Sequence, residues 1–291
     1  MTTFFWHALR VFVRRPGAVA YALVPPLILA WLLRNSYGTW LPGRSEQILA
    51  ITGGAPGLTD AWIVATVAAL SAFTAATAMF LGVVRDRADD RLGLYIATTG
   101  RRWAYIGGYL VAAVKVAFLV PLVVVGAGQV WAMYTGAPVM SLELWVRAIG
   151  GLALNAIFYV ALTAAAASLI VRPSGLGAYG VAGGVVAGFL SLSFVLPQGG
   201  WLPETAGLMP FAEGAALVRY PVLAPVIGSL GLPSGAAPGG VDALNCLVGG
   251  RIEVLGSDPW PTLATVLFLA TWSLVVLAIG LRRMVLVMRT K

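Results

Sequence analysis

Six stretches of the chain are almost purely apolar, each bounded by charged, glycine-bearing or proline-bearing sequence: residues 16–33, 61–84, 104–134, 148–171, 174–196 and 260–281. A hydrocarbon core about 30 Å thick is crossed by about 20 helical residues. Helix is the conformation required, because a backbone group left unpaired in lipid is too costly. Five of the stretches hold no charged residue, and the third holds Lys115. Ahead of them the pattern changes. Within residues 3–15, Phe5, Leu9 and Phe12 recur at helical spacing while His7, Arg10 and Arg14 share another face. This predicts an amphipathic helix over residues 1–15, lying in the headgroup plane with its apolar face in lipid and its arginines toward phosphates. Pro25 and Pro26 fall inside the first stretch and predict a kink or opening there.

Two connections are long enough to carry a pattern of their own. Residues 85–103 are dense in both charge signs yet include Leu92, Leu94, Tyr95 and Ile96, an apolar cluster that a merely solvating loop does not need. A short amphipathic helix docking on a protein partner does need one. Residues 197–259 are acidic overall: Glu204, Glu213, Asp242, Glu253 and Asp258 stand against Arg219 and Arg251. Their first part, 199–220, has helical apolar spacing but little excess hydrophobicity, which fits a re-entrant or surface-lying helix better than a full span. Residues 229–240 read as turn-rich loop.

Composition agrees with lipid as the solvent. Hydrophobic residues make up 59% of the chain, charged residues only 10%, and the mean hydropathy is +0.89; a soluble domain carries about 25% charged residues. The net charge of +8 is not a nucleic-acid stripe, because the basic residues sit at the ends of the apolar runs. With both ends of the chain placed inside, thirteen of the nineteen basic residues fall on the cytoplasmic side, five outside, and Lys115 within a span. That is the positive-inside bias. Arg14 and Arg15 before an apolar run imitate a signal peptide, but Arg34-Asn35-Ser36 is no small-residue cleavage site, so the segment reads as a retained span. Arginine far outnumbers lysine and glycine is abundant, which points to a GC-rich bacterial genome.

The chemistry-bearing residues are few. His7 and Cys246 are the only histidine and cysteine, which leaves no disulfide, no thiolate metal cluster and little room for His-based catalysis. Neither lysine stands in the Gly-Lys-Ser/Thr context of a phosphate-binding loop. Gly180, Gly184 and Gly188 recur at four-residue intervals and predict a close helix–helix seam, within the chain or across a dimer. Lys115 either lines a wet cavity or snorkels to the headgroups. Gln129 and Asn155 fit interhelical hydrogen bonding better than substrate ligation. Glu213 and Arg219 fit an exit gate or an ordinary solvated pair equally well.

The order of parts resembles the membrane subunit of type-2 ABC exporters, and two stretches carry the resemblance as sequence. One runs from Arg85-Asp86 through Arg87, Asp89, Asp90, Leu92 and Leu94 to Thr99-Gly100-Arg101 and Gly107. Asp90 stands there where the family usually has glycine, and Gly100 where it has proline. The other joins Leu202-Pro203 to Pro210 and Arg219, with Met209 in place of the usual asparagine. The resemblance implies an all-α polytopic protein in which residues 1–291 form a single permease domain. Its parts are six transmembrane helices, an N-terminal interfacial helix, a cytoplasmic coupling helix between the second and third spans, and an external re-entrant segment before the sixth. It further implies a non-catalytic subunit of a bacterial cytoplasmic-membrane exporter of hydrophobic or amphipathic substrates. The chain would work as a homo- or heterodimer, with ATP and Mg bound by a cytoplasmic ATPase on a separate chain. The surface for that ATPase would include Arg85, Asp86, Asp89, Leu92, Leu94, Tyr95 and Arg101. The rivals are a secondary transporter driven by an ion gradient, which needs intramembrane carboxylates or an inverted repeat, and a membrane scaffold without transport.

Overall fold

The structure is a computed structural model that describes residues 2–40, 57–91, 102–191, 210–229 and 262–287. Among these residues the chain forms eight helices and no strand: α1 (Thr2–Arg14), α2 (Pro16–Trp40), α3 (Leu58–Ala88), α4 (Arg102–Thr135), α5 (Leu142–Leu169), α6 (Pro173–Ser191), α7 (Pro210–Gly228) and α8 (Thr262–Val287). Five are long and apolar enough to cross a membrane, namely α2, α3, α4, α5 and α8. They are compatible with a polytopic membrane protein.

The bundle is organised around α3. Its sequence alternates alanine with serine, threonine and a few large residues, and 89% of its apolar window is buried. Small side chains on every face let α2, α4, α5, α6 and α7 all pack against it. The buried hydroxyls are satisfied locally: Ser71 donates to the Ala68 carbonyl at 2.8 Å and Thr77 to Phe73 at 2.9 Å. Thr74 does something else. Pro26 has no N–H to offer the carbonyl of Ala22 four residues earlier, and the Thr74 hydroxyl donates to that carbonyl at 3.0 Å. α2 is therefore not opened at this point. It stays helical through Pro25 and Pro26, and a neighbouring side chain satisfies the carbonyl that Pro26 leaves unpaired.

The N-terminal helix also differs from expectation. Phe4, Phe5, Leu9 and Phe12 pack on the protein core, and the Phe4 ring meets Tyr105 of α4 edge-on at 5.5 Å. The apolar face of α1 is turned onto the bundle, while Trp6 and Val13 remain exposed. A single non-helical residue, Arg15, separates α1 from α2.

Residues 199–209 of the segment expected as a helix over 199–220 lie outside the described residues; from Pro210 it is helical, running on to Gly228, and this part is not a surface helix. Phe211 at its start packs on Phe158 and Tyr159 of α5, with ring centroids 5.6 and 6.1 Å apart. Val226 and Ile227 near its end join Leu58 and Trp62 at the first turns of α3. The helix thus begins deep in the bundle and climbs to the end where α3 begins.

Candidate functional site

The last turn of α3 is the best-built polar cluster among the described residues. Successive helical residues point about 100° apart, so Arg85, Asp86 and Arg87 face three different neighbours. Asp86 turns inward, 4% exposed, and its carboxylate accepts from the hydroxyls of Tyr109 at 3.1 Å and Tyr105 at 3.4 Å, both on α4. Arg87 turns to α5. Its guanidinium donates to the carbonyls of Ala167, at 3.4 Å, and of Ile170, the residue that caps the end of that helix. The last carbonyls of a helix lack intrahelical partners and carry partial negative charge, so a cation there both caps and complements the dipole. Arg85 is exposed and lines a cleft against α1 and α2. Met284, near the end of α8, lies beside Arg87 and Tyr105.

The chain leaves this cluster through a tight turn. The Asp89 N–H bonds to the Arg85 carbonyl at 2.9 Å, and Asp90 follows in the left-handed region at φ 55°. Asp90 therefore holds a conformation that glycine adopts freely and that aspartate tolerates better than most residues. Asp89 makes an exposed ion pair with Arg91 at 3.8 Å. Leu92, Leu94, Tyr95 and Arg101 lie outside the described residues. Of the residues expected to meet a partner, Arg85 and Asp89 are on the surface, whereas the Asp86 carboxylate is inside the bundle and acts on α4.

The glycine seam lies within the chain. Going along α6, Gly180 faces Thr77, Gly184 faces Phe73 and Gly188 faces Leu70 of the antiparallel α3. The Tyr21 hydroxyl of α2 fits against Gly180 and donates to the Gly177 carbonyl at 2.9 Å, so three helices meet there.

Lys115 is exposed, with its ammonium 5.4 Å from the ring centre of Phe5 on α1. It reaches toward α1 and lines none of the cavities described below. The Gln129 carbonyl oxygen accepts from the Met140 N–H at 2.8 Å and fixes the turn between α4 and α5. Asn155, fully buried, donates to the Ala69 carbonyl at 3.0 Å and so ties α5 to α3.

Glu213 and Arg219 are not the solvated pair that was one of their two expected roles: α7 buries them, at 2% and 0% exposure. They do not face one another. Arg219 donates from Nε to the Thr66 hydroxyl of α3 at 3.2 Å. Glu213 lines a cleft of about 730 Å³ between α5, α7 and α8, with Leu154, Ile157, Tyr220 and Thr265 among its walls. The entry of α7 is permitted by glycine. Pro221 withholds an N–H from the Leu217 carbonyl, and that oxygen faces Gly151 of α5, where a Cβ would sit 2.8 Å from it. Gly214 likewise leaves room for Asn155.

Residues missed from sequence were those whose role is to answer a backbone or a charge on another helix. Tyr105, Tyr109 and Thr74 carry no motif. A polar residue inside an apolar run near a proline or a helix end is the only signal they give. No family model and no curated protein matches this chain.

Proposed function

We propose that this chain is the permease subunit of an ATP-driven exporter, with the ATPase on a separate cytoplasmic chain. In this reading the chain crosses a bacterial cytoplasmic membrane six times, α6 completing the set, with both ends cytoplasmic, and it pairs with a second permease. Arg15 at the start of α2 and Met284 near the end of α8 both lie by the last turn of α3, in keeping with an even number of crossings. The observation that carries the reading is the Arg85-Asp86-Arg87 cluster. It ties the end of α3 to α4 and α5 immediately before the connection whose apolar cluster fits a docking helix. A push on that connection would reach at least three helices at once. The mostly apolar 730 Å³ cleft is within the range of small-molecule sites, about 300–1,000 Å³, and suits a hydrophobic or amphipathic cargo. In the complex this subunit performs no catalysis; ATP and Mg stay on the partner.

One observation favours the rival reading of a gradient-driven transporter. Asp86 and Glu213 are acidic residues buried inside the bundle, and such carboxylates serve ion coupling elsewhere. The two readings separate in proteoliposomes. With the chain co-reconstituted with an ATPase encoded beside it, efflux of a lipophilic dye should require ATP and persist when proton and sodium gradients are collapsed. Efflux driven by a gradient without ATP would replace the main reading with the rival.

A further inference from the structure

At the end of the bundle where α3 finishes, a cleft of about 440 Å³ opens between α1, α2 and α3. Three arginines line it, Arg14 and Arg15 from the α1–α2 junction and Arg85 from α3, and no acidic residue does so among the described residues. None of the three pairs with a described carboxylate. Like charges brought to one wall repel, so their convergence is unfavourable unless something answers it. Gly17, with nothing within 4 Å of where a Cβ would be, leaves the wall open beside the arginines. Apart from Tyr21 and Tyr109 the remaining walls are apolar, with Phe12 of α1 and Met79 of α3 among them.

We propose that this cleft binds the phosphate of an anionic phospholipid drawn from the adjacent leaflet, held by Arg14, Arg15 and Arg85. A free phosphate would satisfy the arginines equally well. The apolar walls and the position of the cleft under an amphipathic helix favour the lipid, whose glycerol and first methylenes would lie along Phe12 and Met79. Because Arg15 is the only residue between α1 and α2, the bound lipid would also clamp α1 to α3. The proposal is independent of the ATPase reading, since it concerns a resting ligand at a membrane-facing cleft.

The test uses the full chain, purified in a neutral detergent, and titrates dioleoylphosphatidylglycerol against dioleoylphosphatidylcholine by native mass spectrometry. One tightly held phosphatidylglycerol per chain is expected, with phosphatidylcholine bound more weakly. Each basic residue near a membrane surface contributes about a fivefold change in affinity for anionic lipid. Arg14→Gln and Arg85→Gln should therefore each weaken binding about fivefold, whereas Arg282→Gln with Arg283→Gln should leave it unchanged. Arg14 and Arg85 are exposed, so these variants should keep the parent's helical content and elution volume; Arg15→Lys, which keeps the charge, should retain binding. Equal binding in all variants would overturn the site. Competition by inorganic phosphate or the deacylated headgroup at the same concentration as intact lipid would overturn the lipid as its source.

Discussion

Replacing the seam glycines one at a time should give opposite signs at neighbouring turns of the same helix. At Gly180 an added methyl would meet the Tyr21 hydroxyl and lie 2.6 Å from Thr77 Cγ2, so Tyr21 must move and give up its hydrogen bond to Gly177. Overpacking a tight interface costs about 1–3 kcal/mol, and the lost hydrogen bond about 1 kcal/mol more. Gly180→Ala should therefore destabilise the bundle by about 2–4 kcal/mol, lowering the melting temperature by roughly 5–10 °C. At Gly184 the nearest atom to the added methyl is a Phe73 ring carbon at 3.7 Å, and at Gly188 it is Leu70 Cδ1 at 3.5 Å, both ordinary contacts. Those two substitutions should be neutral or stabilising, because alanine exceeds glycine in helices by about 1 kcal/mol. The assay is the loss of monodisperse protein after heating in detergent, read by fluorescence-detected size exclusion. Tyr21→Phe in the Gly180→Ala background should restore part of the loss, because it removes the clashing oxygen. If Gly184→Ala proves as damaging as Gly180→Ala, the seam does not have this register.

Three further outcomes follow from the same contacts. Arg87→Ala should lower stability by about 1–3 kcal/mol by leaving the carbonyls of Ala167 and Ile170 uncapped, with faster hydrogen exchange in the last turn of α5. Asp90→Gly should be neutral or stabilising by up to about 1 kcal/mol, whereas Asp90→Val should be destabilising, both read by thermal unfolding, because only the former suits φ 55°. Gly151→Ala should destabilise by about 1–3 kcal/mol, since its methyl would press on a backbone carbonyl of α7 that has no flexible end to move; a cysteine at position 217 should then become more reactive toward a membrane-permeant maleimide.

The helices legible in the sequence were those whose signal lies within one segment. Apolar length located α2 to α6 and α8 to within a few residues of most ends, and the spacing of Phe5, Leu9 and Phe12 gave α1. What misled was information held between segments. The prolines of α2 left an opening possible because the Thr74 hydroxyl that answers Ala22 lies 52 residues away. Glu213 and Arg219 left a solvated pair open because two charges within ten residues lower the hydropathy of α7. Their burial depends on Thr66, Gly151 and Gly214 accepting that helix into the bundle. The seam glycines were visible, but whether they faced a dimer partner or α3 was decided only by Leu70, Phe73 and Thr77 repeating in register opposite them. Asp86 illustrates the same limit at the candidate site: neighbouring residues in a charged run differ in role because a helix turns them about 100° apart.

The central claim is that energy enters through the connection that follows the α3 cluster. The most direct measurement places a photo-crosslinking amino acid at position 94 in the full chain, irradiates intact cells, and identifies the adduct by mass spectrometry. The account predicts capture of an ATPase bearing a phosphate-binding loop, retained with Asp89→Ala and lost when both Leu92 and Tyr95 are changed to Asp. A chain that catches no ATPase from this position, yet moves its cargo on an ion gradient, would contradict it.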